Sequence, residues 1–247
     1  MPDMAIGQWA ALAFAAVVIG LSKTGLPGAA IVAIPLLADV FPAKASTGIV
    51  LPMLIAADLF AVTYYRRKAV WSHLIHLIPW AAGGIVIGHA LMDRISDARL
   101  MPVIGGIVLT MLGVNAWRRH ISEQDAAIPQ MWWFAAAIGL TAGITTMMAN
   151  AAGPVMIVYF VAMRLPKQAF VGTGAWYFFL LNWFKVPFSA NLGLITRDSL
   201  TLNAIMLPFV ALGALTGIFL LRRIPQKKFT VAVEILAALA AIRLLWP

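Results

Sequence analysis

Lys23 stands in the run Gly20-Leu-Ser-Lys-Thr-Gly-Leu-Pro-Gly28, between one apolar stretch and a second, shorter one. Glycines and a proline so close together interrupt a helix, and Gly25, Pro27 and Gly28 mark the expected break. A helix that restarts after such a break offers unpaired N–H groups and the positive end of its dipole. Lys23 adds a full charge there, and Ser22 and Thr24 add hydroxyl donors. Those residue types in that order describe an anion site. An ordinary polar loop with Lys23 among lipid headgroups fits the same composition. A phosphate-binding P-loop does not, because the GxxxxGK[ST] order is absent.

A second run has the same character. Thr145-Thr-Met-Met-Ala-Asn-Ala-Ala-Gly-Pro154 again places small residues and a proline before a short apolar segment. Asn150 offers a neutral donor and acceptor, and Gly153 and Pro154 mark the second expected break. Asp58, Asn182 and Lys185 complete the set. Asp58 lies well inside an apolar segment, where a carboxylate costs several kcal/mol unless it is paired or protonated. It reads as a proton carrier, as a counter-ion to Lys23 or Lys185, or as half of a structural salt bridge. Lys185 follows Asn182 by one turn and lies near the end of its segment, so snorkelling to the interface is its alternative. Glu234 and Arg243 lie near opposite ends of the last segment and are expected at the interfaces. His73 and His76 are one turn apart and lack a third ligand, so no metal site is expected.

The elements that must hold these residues follow from composition. Of 247 residues, 62% are hydrophobic and 11% charged, against roughly a quarter charged in soluble globular proteins. A soluble fold cannot hide that much apolar surface, and a disordered chain is polar. The composition therefore specifies an all-α integral membrane protein. Cysteine is absent, which excludes disulfides, thiolate metal sites and cysteine nucleophiles. No basic residue precedes the apolar run at 9–21, so that run is expected to be mature membrane structure rather than a secretory signal. Apolar segments are expected at 9–22, 29–40, 45–65, 73–92, 99–117, 131–149, 153–163, 169–190, 201–221 and 229–246. Those at 29–40 and 153–163 are short for a span of about 20 residues and are open to a re-entrant reading.

The two halves resemble each other around a polar linker at 118–130. At an offset of 124, Pro42 falls on Pro166, Gly48 on Gly172, Phe60 on Phe184 and Asp58 on Asn182. After an insertion the offset becomes 129, and Pro79 falls on Pro208, Gly84 on Gly213 and Gly88 on Gly217. The division is one transport domain of two membrane repeats, 1–117 and 131–247. Internal repeats are the construction of many secondary transporters. The 18 Lys and Arg against 9 Asp and Glu gather in short loops, as in Arg66-Arg67-Lys68, Arg118-Arg119 and Arg222-Arg223. That is the positive-inside pattern of cytoplasmic loops, not a nucleic-acid surface. With those loops on one side, five segments per half satisfy the count. Five is odd, so the repeats are expected to be inverted.

These residues carry a resemblance. Gly20-Leu-Ser-Lys-Thr-Gly-Leu-Pro-Gly, Ile34-Pro35-Leu-Leu, Leu51-Pro52-Met-Leu, Asp58 and Tyr65-Arg66-Arg67 resemble the first half of the TauE/SafE sulfite and organosulfonate exporters. Ala152-Gly153-Pro154, Tyr159, Thr173, Asn182, Lys185 and Gly193 resemble the second half. The resemblance covers nearly the whole chain. It implies transport of a small sulfur-containing anion such as sulfite, a sulfonate or thiosulfate, most simply export across a bacterial inner membrane. Proton-coupled import of a small anion is the competing expectation. An intramembrane enzyme or a scaffold ranks far lower, since no Ser-His-Asp pattern, HExxH or nucleotide fingerprint is present and a scaffold would lack buried charges. The expected partners are the anion and the lipid bilayer, with a homodimer left open and no cofactor or nucleic acid. The anion is expected to meet Lys23, Ser22, Thr24, Asn150, Asn182 and Lys185.

Overall fold

A computed structural model describes residues 4–33, 37, 41, 43–92, 102, 106, 109, 113 and 132–245. The expected linker at 118–130, most of the segment at 99–117, and Ile34, Pro35 and Pro42 of the motifs lie outside the described residues. Among those described there are eight α-helices and no strand: α1 (Ile6–Thr24), α2 (Ala43–Tyr65), α3 (Trp71–Leu91), α4 (Trp132–Ala149), α5 (Ala152–Ala162), α6 (Lys167–Asn191), α7 (Arg197–Arg223) and α8 (Gln226–Leu245), with a 3-10 turn at Ala29–Val32. In hydrocarbon a backbone must satisfy its own polar groups, and a helix does so within one segment. Five of these helices are long and apolar enough to cross a bilayer. Pro52, Pro79, Pro187 and Pro208 lie inside helices, a placement that membrane helices tolerate.

Two close helix pairs flank the centre. α1 packs beside α7, where Gly20 and Gly25 meet Val210, Ala214 and Gly217. α3 packs beside α4, where Gly84 and Gly88 meet Gly143, Ile144 and Met147. Residue numbers rise together along both pairs, so each pair is parallel. A Cβ on Gly143 would fall inside contact distance of the Ala81 carbonyl, so glycine is what lets the two backbones approach.

Between the pairs, α2 and α6 cross antiparallel. Gly48 near the start of α2 packs on Leu194 just past the end of α6, and Gly172 near the start of α6 packs on Lys68 just past the end of α2. The two helices begin at positions 43 and 167, at the offset where the halves align.

One end of the bundle is basic. Arg222 Nε donates to the Tyr64 hydroxyl at 2.6 Å. Lys167 Nζ donates to the Leu221 carbonyl at 2.8 Å and also to the Ile224 carbonyl. Arg66, Arg67, Lys68, Lys167, Arg222 and Arg223 therefore share that end. Trp71 and Trp132, which open α3 and α4, are exposed, as expected of aromatic residues at a membrane interface. Leu215, Phe219, Val231 and Ile235 face outward from α7 and α8, a surface suited to lipid.

Candidate functional site

The first break follows α1. Gly25 and Leu26 turn back to the Leu21 carbonyl, and Gly28 adopts φ +96°. A side chain at Gly28 would press on Leu236 and Ile157, so this position needs glycine for conformation and for space. The last carbonyl of α1, on Thr24, accepts from the Tyr65 hydroxyl at 2.9 Å. Lys23 lies in the last turn of α1, where the negative end of the helix dipole favours a cation.

Lys23 reaches the centre of the bundle. Its ammonium nitrogen is 2.8 Å from Asp58 Oδ1 and 3.9 Å from the centre of the Phe178 ring. Asp58 is fully buried. Its other oxygen accepts from Asn182 Nδ2 at 2.6 Å. Of the readings open to Asp58, the geometry is that of a counter-ion to Lys23.

The second break falls at Asn150 and Ala151, between α4 and α5. Asn150 adopts φ +53°, a left-handed conformation that asparagine tolerates better than other residues with a Cβ. Gly153 and Pro154, expected from sequence to be the break, open α5 instead. The first turn of a helix suits proline because its missing N–H has no intrahelical partner there.

Lys185 is buried and does not snorkel. Its Nζ donates to the Thr146 carbonyl at 2.6 Å and to Asn150 Oδ1 at 2.5 Å. The Thr146 carbonyl belongs to the last turn of α4, which a cation satisfies well. Asn150 Nδ2 donates to the Thr47 carbonyl at 3.1 Å. Asn150 is thus held at both ends of its amide, by α2 and by α6.

Both breaks line one cavity of about 340 Å³. Pro27 and Gly28 stand on its wall from the first break, and Gly153 and Pro154 from the second. Ser22, Lys23, Thr146, Asn150, Asn182 and Arg243 supply its polar lining, and Phe160, Phe170 and Phe178 part of its apolar lining. The first turn of α5, at Gly153 and Pro154, thus borders this cavity.

Two residues expected at the anion stand elsewhere. The Thr24 hydroxyl donates to the Ala214 carbonyl at 2.7 Å and ties α1 to α7. Lys185 stands behind Asn150 and is not part of the lining. Conversely, Arg243 lines the cavity although its place near a segment end suggested an interface. Phe178 carried no signal beyond its helical spacing, one turn before Asn182. His73 Nδ1 is 2.9 Å from the Tyr159 hydroxyl, whereas His76 Nδ1 meets the Ser72 carbonyl of its own helix.

In comparisons with known proteins, no curated relative and no solved structure matches the chain. A family model described as Sulfite exporter TauE/SafE matches residues 12–244.

Proposed function

The chain belongs to the sulfite exporter TauE/SafE family, and on that premise we propose that it is a secondary transporter that exports a small sulfur-containing anion such as sulfite, a sulfonate or thiosulfate. The family is one of transporters rather than enzymes, and the chain is a multi-pass membrane protein. The membrane assigned here is a bacterial inner membrane, with the basic end of the bundle in the cytoplasm.

The observation that carries this reading is the charge around the cavity. Lys23 pairs with the carboxylate of Asp58, and Arg243 also lines the cavity. Lys185 has only neutral acceptors among its hydrogen-bond partners. Among the described residues around the cavity, basic side chains outnumber carboxylates, and such a region attracts an anion. Lys23, Ser22, Asn150 and Asn182 are its ligands in this proposal. Lys185 acts one step back, holding Asn150 and the end of α4. An inside-negative potential of about 100 mV favours exit of such an anion by about 2.3 kcal/mol.

Inverted repeats are part of the same proposal, with 1–117 and 131–247 as the two halves. Three relationships support them. Helices α2 and α6 begin 124 residues apart and run antiparallel. Pro79 and Pro208 lie inside α3 and α7, at the second offset. The parallel pair α1 with α7 has its counterpart in α4 with α3, each joining one half to the other or mirroring that junction within the fold. Inversion places the two breaks on opposite approaches to one central cavity, the arrangement in which alternating access is built.

A second reading, proton-coupled import, is favoured by the Lys23–Asp58 pair. An anion that takes the Lys23 ammonium weakens the hold on the Asp58 charge, so anion and proton gain from arriving together. Flux of ³⁵S-labelled sulfite, methanesulfonate and thiosulfate into and out of proteoliposomes, under imposed voltage and pH gradients, tests both. Flux driven by voltage alone supports export by uniport, and flux that requires a pH gradient supports coupling. No flux of any of these anions under either gradient overturns the transport reading for this substrate class.

A further inference from the structure

The Lys23 ammonium has two neighbours of different kind. Asp58 Oδ1 lies 2.8 Å away, and the face of Phe178 lies 3.9 Å from it, measured to the ring centre. Phe178 sits on the same helix as Asn182, four residues earlier, so α6 supplies both the ring and the amide that holds Asp58. The ring also lines the cavity. Tyr177 packs against it edge to face, with ring centres 5.3 Å apart.

A carboxylate and an aromatic face attract an ammonium by different means. The carboxylate does so through a charge that a proton or a competing anion cancels. The ring does so through its quadrupole, which neither event alters and which is strongest where water is excluded. An anion that binds Lys23 must share it with Asp58 or displace it. During that exchange the lysine, on a flexible four-carbon stem, needs a hold that does not depend on Asp58.

We infer that Phe178 is the positioning residue that keeps the Lys23 ammonium at the cavity wall while Asp58 exchanges it with the transported anion. This rests on the transport reading above and adds a residue to it. Without the ring, an ammonium released by Asp58 has no fixed place, and the anion pays for ordering it. Phe178→Leu keeps the apolar lining and loses the quadrupole, so it raises the KM for sulfite about tenfold and changes the saturated rate less. Phe178→Tyr keeps the face and stays near the parent value.

The decisive series replaces Phe178 with mono-, di- and trifluorophenylalanine in the full chain. Fluorination preserves shape and progressively drains the ring face. The expected result is a stepwise rise in sulfite KM, with a matching stepwise fall in detergent melting temperature that vanishes in a Lys23→Met background. Melting temperatures that ignore fluorination in both backgrounds overturn the inference, as does a flat KM across the series. A wild-type protein that moves no sulfite while the melting series still slopes places the failure in the transport reading instead, and removes the role in exchange with it.

Discussion

Asn182 Nδ2 donates to Asp58 Oδ2 at 2.6 Å across a separation of 124 residues, which is the offset that aligns the two halves of the chain. Residues related by a two-fold axis touch each other only beside that axis. On the inverted-repeat reading this bond marks the axis, and the halves differ there by one titratable group. Asp58 alone can exchange a proton at that point, and Asn182 holds whichever oxygen Lys23 does not. Asp58→Asn keeps the shape and removes the proton. On the coupled reading the variant still equilibrates sulfite down its own gradient and loses its response to an imposed pH gradient. A variant that keeps the full pH response excludes Asp58 as the coupling group.

Lys23 carries both stability and transport. Removing one partner of a buried ion pair leaves the other uncompensated, at a cost of about 3–5 kcal/mol. Lys23→Met should therefore lower the melting temperature markedly as well as abolish sulfite flux. Lys23→Met combined with Asp58→Asn should recover most of the stability and none of the flux. Differential scanning calorimetry in detergent beside proteoliposome flux separates the two effects. Recovery of flux in the double variant places the anion elsewhere.

Much of this arrangement was legible in the residues. For the eight segments that fall on described helices, bounds read from hydrophobic runs agree to within a few positions, because the cost of unpaired backbone in lipid fixes where a helix ends; 99–117 and most of 29–40 lie outside that comparison. Charged loops after Tyr65 and Arg223 marked one end of the bundle, and the glycines of α1, α3, α4 and α7 marked the close crossings. What was not legible is which way a side chain turns. Thr24 and Ser22 look alike in sequence, yet one bonds to Ala214 in α7 and the other lines the cavity. Lys185 looked like a ligand or a snorkelling residue and is a helix-end cap behind Asn150. The second break looked like Gly153 and Pro154 because those residues break helices, while the left-handed turn is made by Asn150 and kept there by two hydrogen bonds from other helices. Arg243 read as an interface residue because its place in the lining depends on where α8 docks.

Lys185 and Asn150 act as one unit. The lysine satisfies the Thr146 carbonyl and fixes the Asn150 amide, and the same amide reaches Thr47. Lys185→Ala removes one of the two donors to the Thr146 carbonyl and leaves the Asn150 amide held by Thr47 alone, and Asn150→Ala removes the group that the lysine positions. Each should lower sulfite flux by tenfold or more. Groups in one hydrogen-bond network are non-additive, so the double variant should be little worse than either single one. Losses that multiply in the double variant would show two independent roles.

The topology has a direct check, because the chain has no cysteine of its own. Arg222 bonded to Tyr64, and Lys167 bonded beside Gln226, bring the loops after α2 and α7 to one end. The turn between α6 and α7 lies at the other end, where Leu194 packs on Gly48. Single Lys68→Cys and Gln226→Cys variants should both resist an impermeant maleimide applied to intact cells and react once the cytoplasmic face is opened. Ile195→Cys should react from outside. Positions 68 and 226 labelling from opposite faces would end this arrangement of the helices. Both labelling from outside would keep the arrangement and reverse its orientation, in conflict with the attraction of basic loops to the cytoplasmic side.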